Sequence, residues 1–152
     1  MRTRSILLSF IALFSALGLY GAQVSAAAPV NGSIQTCGTN QSLCVYFNSD
    51  NKGSRVGIYG KVHNYDANPT MCSSQGCSKY SFQTSGSGYG QYIKNNAASA
   101  YNADFHPYRV YYNSGWTGPV DEFDPKGYGT YFGNLIRTYN QNASQQNMCG
   151  EC

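Results

Sequence analysis

The residues of this 152-residue chain that could do chemistry are few: six cysteines, two histidines, seven carboxylates and two Asn/Ser-rich stretches. Six thiols allow fifteen disulfide pairings, and an even count suits an oxidising compartment. Cys149-Gly150-Glu151-Cys152 has redox spacing. It lies at the chain end with no helix after it, so it reads as structural. Neither His63 nor His106 has a second ligand at metal spacing, so a zinc centre is not indicated. Asp121, Glu122 and Asp124 sit beside the turn Pro125-Lys126-Gly127 and read as a solvated acidic turn, not a glycosidase pair. Gly86-x-Gly88-x-Gly90 is followed by Gln91 and no helix start, so it is a hairpin and not a phosphate loop. No Gly-x-Ser-x-Gly elbow occurs, and a non-enzymatic protein is expected. Asn95-Asn96-Ala97-Ala98-Ser99-Ala100 gathers hard oxygens without a carboxylate. Such a loop either offers carbonyl and hydroxyl oxygens to a cation or satisfies its own backbone.

The elements that position these residues follow a leader. Met1–Arg4 is basic, Ile6–Ala22 is apolar, and Val24-Ser25-Ala26 is a small-x-small cleavage site. Residues 1–26 therefore read as a secretory signal peptide. The run is short for a spanning helix, so no membrane association is expected once it is removed. Removal takes Arg2 and Arg4 and leaves 126 residues with 8 basic against 7 acidic side chains. No run of like charge remains, so neither a nucleic-acid nor a membrane-surface partner is indicated. Residues 27–36, in which Ala, Pro, Gly and Ser make up half, show no periodicity and read as a disordered leader, with order beginning near Cys37. A single domain over 37–152 follows, expected as a monomer.

Beyond the signal only Leu43 and Leu135 remain, against thirteen Tyr, five Phe and Trp116. Aromatic and β-branched residues argue for an all-β domain. That domain is internally repeated. Val45-Tyr46-Phe47-Asn48-Ser49 returns as Val110-Tyr111-Tyr112-Asn113-Ser114, offset by 65. Asn95-Asn96-Ala97-Ala98-Ser99 returns as Asn140-Gln141-Asn142-Ala143-Ser144, offset by 45. The first copy (about 44–100) thus carries about 20 residues more than the second (about 109–146), and the excess falls around Asn64–Tyr80. Each copy reads as short apolar strand, Asn/Asp/Gly-rich turn and alternating strand: Cys44–Phe47, Asn48–Ser54 and Arg55–Val62, then Arg109–Tyr112, Asn113–Gly118 and a strand through Val120 and Phe123. Four strands per copy would form a disulfide-stabilised sandwich of two Greek keys, with a small barrel as the alternative.

Tyr111-x4-Trp116-x-Gly118 resembles the signature hairpin of βγ-crystallin Greek keys, and the first copy departs from it at Asn51. Cys37-x6-Cys44-Val-Tyr-Phe-Asn-Ser, Ser85-Gly-Ser-Gly-Tyr-Gly-Gln, Lys94-Asn-Asn-Ala-Ala-Ser and Val110-Tyr-Tyr-Asn-Ser-Gly are together similar to small secreted bacterial peptidase inhibitors typified by the streptomycete metalloproteinase inhibitor. The resemblance spans about residues 37–146 and implies the βγ-crystallin-like fold. With sequence proximity it favours a Cys37–Cys44 disulfide. Cys72–Cys77 is a short loop able to close on itself, which leaves Cys149 and Cys152 as a terminal pair. The resemblance also implies a cysteine-bounded loop presented to a protease, here Met71, Cys72, Ser73 and Cys77. Ser73 departs from the apolar residue that a thermolysin-like enzyme would prefer. In βγ-crystallins a motif like Asn95-Asn96-x-x-Ser99 marks a calcium site shared between the keys. Here Ala100 replaces its last serine, and the second copy departs at Gln141 and Gln145.

The expected function is a secreted inhibitor of an extracellular metalloprotease that requires no cofactor. The alternatives are a non-inhibitory crystallin-like module with weak calcium affinity through Asn95, Asn96 and Ser99, and a secreted antagonistic toxin.

Overall fold

The computed structural model describes residues 32–39, 41–68, 72–74 and 76–149. The proposed signal, Met71 and Cys152 lie outside them. The described chain is all-β: β1 (Ser33–Gln35), β2 (Leu43–Asn48), β3 (Lys52–Tyr59), β4 (Cys72–Ser73), β5 (Gly76–Cys77), β6 (Ser99–Asn102), β7 (Tyr108–Asn113), β8 (Thr117–Phe123), β9 (Phe132–Asn134) and β10 (Ser144–Asn147). One sheet runs β1-β3-β2-β6-β9, a second β10-β7-β8, and β4 pairs with β5 alone.

The repeat seen in the sequence is the symmetry of the fold. β2, β3 and β6 of the first copy correspond to β7, β8 and β10 of the second. Each copy lends its third strand to the other sheet. β9 of the second copy pairs with β6, and Val62 of the first bridges Gln145 in β10. That exchange joins the two Greek keys through backbone pairing. The first copy's third strand is only a bridge, because β3 ends at Tyr59 and Gly60 takes φ 82°, a region glycine enters without steric penalty.

The two folded hairpins share their pairing shift and their serine clamp. Pairing shifts between Tyr46 and Asn48 in one and between Tyr111 and Asn113 in the other. The Ser99 hydroxyl donates to the Asn48 carbonyl at 2.6 Å and accepts the Asn51 N–H at 3.0 Å. Ser144 does the same to Asn113 (2.6 Å) and Trp116 (3.2 Å). Trp116 Nε1 further donates to the carbonyls of Val62 and Gln145, whereas the Asn51 Oδ1 in the matching place is buried without a partner.

Leu43, Val45, Val56 and Ile58 meet Tyr108, Val110 and Phe123 between the sheets. The expected disordered leader, 27–36, is corrected at its end. Ser33–Gln35 pairs with Gly57–Tyr59 as β1, and Ile34 packs against the core. Three residues are too short to show a period, so only the partner strand reveals them.

Candidate functional site

The extra length of the first copy lies between β3 and β6, where 60–98 is nearly twice as long as 124–143 between β8 and β10. Part of it leaves the sandwich as the β4–β5 hairpin, which puts Cys72 opposite Cys77 and Ser73 opposite Gly76. Gly76 has φ 116° and Cys77 is disulfide-bonded. Ser74, Gly76, Cys77, Ser78 and Lys79 are exposed.

The base of this hairpin is anchored in the core. Asn68 N–H donates to the Ser78 carbonyl at 2.7 Å, and Tyr80 N–H to the Tyr65 carbonyl at 3.0 Å. Tyr65 and Tyr80 are fully buried, their rings edge-to-face at 6.1 Å. Tyr65 Oη donates to Gln145 Oε1 (2.8 Å) and Tyr80 Oη to the Gly32 carbonyl (2.6 Å), so both hydroxyls are satisfied across the domain. Burial pushes the Tyr80 phenol up to about 12. Asp66 bridges Lys94 (2.8 Å) and Lys79 (3.1 Å), and Lys79 also lies 5.0 Å from the Tyr92 ring centroid. The hydrogen bond from Lys94, with a second from Lys79, holds the Asp66 carboxyl below its usual range. The tyrosine anchor was not legible in the sequence, since nothing local separates Tyr65 and Tyr80 from the chain's other tyrosines.

The structure divides the proposed calcium residues. Ser99 is buried and its hydroxyl is engaged in the first folded hairpin. Asn96 Nδ2 donates to the carbonyls of Tyr92 (2.9 Å) and Lys94 (3.4 Å). Asn95 is exposed on the wall of a cleft of about 450 Å3 that it shares with Lys94, Tyr112, Asn113, Asn140 and Gln141. The two loops are locked by reciprocal bonds: Asn95 N–H to the Asn142 carbonyl and Asn140 N–H to the Ala97 carbonyl, both 2.9 Å. Asn142, in one of three Asn-x-Ser sequons (Asn31 and Asn40 head the others), is fully buried; its side chain accepts from Ala97 N–H and donates to the Ile93 carbonyl.

This donor set does not fit calcium. Among the described residues that line the cleft there is no carboxylate and there is one cation, Lys94, while the Ser99 hydroxyl is engaged in the first hairpin. Among the described residues no three His, Cys, Asp or Glu side chains cluster for a metal.

The remaining candidates are engaged within the fold. Cys37 and Cys44 form a disulfide, and Cys149 is disulfide-bonded. Asp121 accepts from the N–H groups of Ile136, Arg137 and Thr138 and from the Thr138 hydroxyl. Glu122 pairs with Arg109 (2.9 Å), and Asp124 accepts from Thr130 N–H. The Gly86–Gly90 loop covers the edge of β3, where Ser54 N–H donates to the Ser87 carbonyl. His63 packs edge-to-face on Trp116. His106 Nδ1 lies 3.1 Å from Asp104, a buried carboxylate that also accepts from Asn147 and has no sequence signal.

No family model and no curated protein matches the sequence. A solved structure described as "Evolution of the eye lens beta-gamma-crystallin domain fold" is similar at a TM-score of 0.46 and 7% identity, covering 76% of this chain and 94% of that one. By strand order, two antiparallel Greek keys, each lending a third strand to the other, make this chain a disulfide-bonded, βγ-crystallin-like all-β domain.

Proposed function

We propose that the protein is a secreted, monomeric, non-enzymatic inhibitor of an extracellular metalloprotease, working through the β4–β5 hairpin. The observation that carries this reading is a cysteine-flanked hairpin, exposed at Ser74, Gly76 and Cys77, that stands on a buried two-tyrosine base. A peptidase cleft binds extended backbone, and a strand held in that form beforehand loses little conformational freedom on binding. A hairpin that pairs with itself and is closed at its base also resists release after cleavage. The sequence resemblance to secreted peptidase inhibitors supports the same reading.

The test is titration of a thermolysin-type protease, within a panel of secreted proteases, with the protein from residue 27 onward. Stoichiometric inhibition at micromolar protein is expected. Replacing 72–77 by a Gly/Ser segment of equal length should abolish inhibition and leave the melting temperature of the sandwich nearly unchanged. Absence of inhibition across the panel, or inhibition that survives the replacement, overturns the proposal.

A further inference from the structure

The cleft between the two Asn-rich loops has a lining that suits neither a cation nor an anion. Its charged wall residue, Lys94, is tied to Asp66 at 2.8 Å and to Asn64 Oδ1 at 3.3 Å, so its charge is compensated inside the protein. The rest of the polar lining is neutral amide and hydroxyl. The side chains of Asn95, Asn140 and Gln141 are exposed and make no hydrogen bond to the described residues. A primary amide offers two donors and an acceptor with two lone pairs in one plane. A sugar hydroxyl is likewise donor and acceptor at once, so adjacent hydroxyls match an amide in a way that a bare ion does not. Tyr112, 39% exposed, stands at the same cleft and supplies an aromatic surface for the C–H face of a sugar ring. The volume of about 450 Å3 lies within the range of small-molecule sites.

The amides are also held in place. Asn95 and Asn140 both take left-handed backbone angles, φ 62° and 50°. Non-glycine residues enter that region rarely, and Asn more readily than most. Each is fixed there by its N–H bond to the opposite loop. Their Cα–Cβ directions are therefore set by the junction of the two keys and not by a mobile tip.

We propose that this cleft is a saccharide subsite that takes a neutral sugar unit of an oligosaccharide, through the amides of Asn95, Asn140 and Gln141 and the ring of Tyr112. This goes beyond the inhibitor reading and does not depend on it, because the residues concerned lie outside the β4–β5 hairpin.

The test uses 15N-labelled protein titrated with chitotriose, cellotriose, laminaritriose and maltotriose up to about 10 mM, the range in which weak sugar sites saturate. At least one trisaccharide should shift the side-chain amide resonances of Asn95, Asn140 and Gln141 along a saturable curve. Gln141→Ala and Tyr112→Ala should each weaken that affinity by about fivefold, one lost net contact, while the backbone spectrum stays folded. Rescue of most of the affinity by Tyr112→Phe is expected if the ring, not its hydroxyl, makes the contact. The proposal is overturned if none of the four sugars moves these resonances, if the sugars act only elsewhere, or if calcium chloride moves them at lower concentration than any sugar.

Discussion

Replacing Ser99 by alanine separates two roles that its motif allows, metal ligand and hairpin clamp. The hydroxyl is fully buried. It donates to the Asn48 carbonyl at 2.6 Å and accepts the Asn51 N–H at 3.0 Å, across the bend between β2 and β3. Alanine removes both bonds and leaves two backbone groups without their partner. At about 1 kcal/mol net for each bond, the loss is about 2 kcal/mol. For a domain of this size that lowers the melting temperature by about 8 °C. The assay is thermal and urea unfolding in EDTA, with the urea m-value checked for constancy so that the change is one of stability alone. A clamp destabilises the protein in EDTA to the same degree as in calcium. A metal ligand does the reverse, leaving the metal-free protein unchanged and abolishing a calcium-induced rise. Ser144→Ala should match Ser99→Ala within a few tenths of a kcal/mol, since the second hairpin repeats the geometry. A fall under about 2 °C in EDTA, or an effect confined to calcium-containing buffer, would falsify the clamp.

Asp121→Ala removes the common acceptor of three consecutive N–H groups and the Thr138 hydroxyl. A loss of about 2 kcal/mol is expected, with faster amide hydrogen exchange at 136–138; unchanged exchange there would refute the assignment. Burial raises the Tyr80 phenol to about 12 against an ordinary value near 10. A raised pKa contributes stability that is whole below pH 10 and is lost as pH rises through 12, so Tyr80→Phe should blunt the alkaline unfolding limb between those values. Burial raises Tyr65 and Tyr108 as well, so part of the limb stays, and a limb that Tyr80→Phe leaves unchanged in size would count against this. Asp66 works in the opposite sense. Its lowered pKa contributes stability present above the ordinary carboxylate range and lost as pH falls through the folded value. The stability gap between the native protein and Asp66→Asn should therefore close as pH is lowered below about 4, and a gap independent of pH would exclude the Lys94–Asp66–Lys79 bridge.

Much of the fold was legible because the repeat is written in residues that the hairpin geometry requires. The offset of 65 aligns Tyr46 with Tyr111 and Asn48 with Asn113, and the offset of 45 aligns Ser99 with Ser144; these are the residues that bond alike in the two copies. Serine at the clamp and glycine at 53 and 118, with φ 77° and 83°, are local demands, so they show in local sequence. The third strands were less legible. Val62 is a single bridge and β9 runs only from Phe132 to Asn134, so neither has a period to detect. β1, three residues long within 27–36, was hidden for the same reason. The candidate site was legible as an insertion and two Asn-rich loops. What these loops do depends on which groups face them, and Lys94, Asp66 and Tyr112 come from three separate stretches of chain.

Residue types and their offsets are enough to make the domain all-β, internally repeated and rich in aromatic cover, with an excess segment near Asn64–Tyr80. Those properties follow from residue type, offset and backbone preference, which act over a few residues. Long-range packing, in contrast, sets the excess segment on buried Tyr65 and Tyr80, whose hydroxyls find acceptors at Gln145 and Gly32. It also decided that Ser99 faces the first hairpin while Asn95 faces the second key. Exchange of third strands between the sheets brings each copy's loops against the other copy, and a contact across that junction has no signature in either stretch alone.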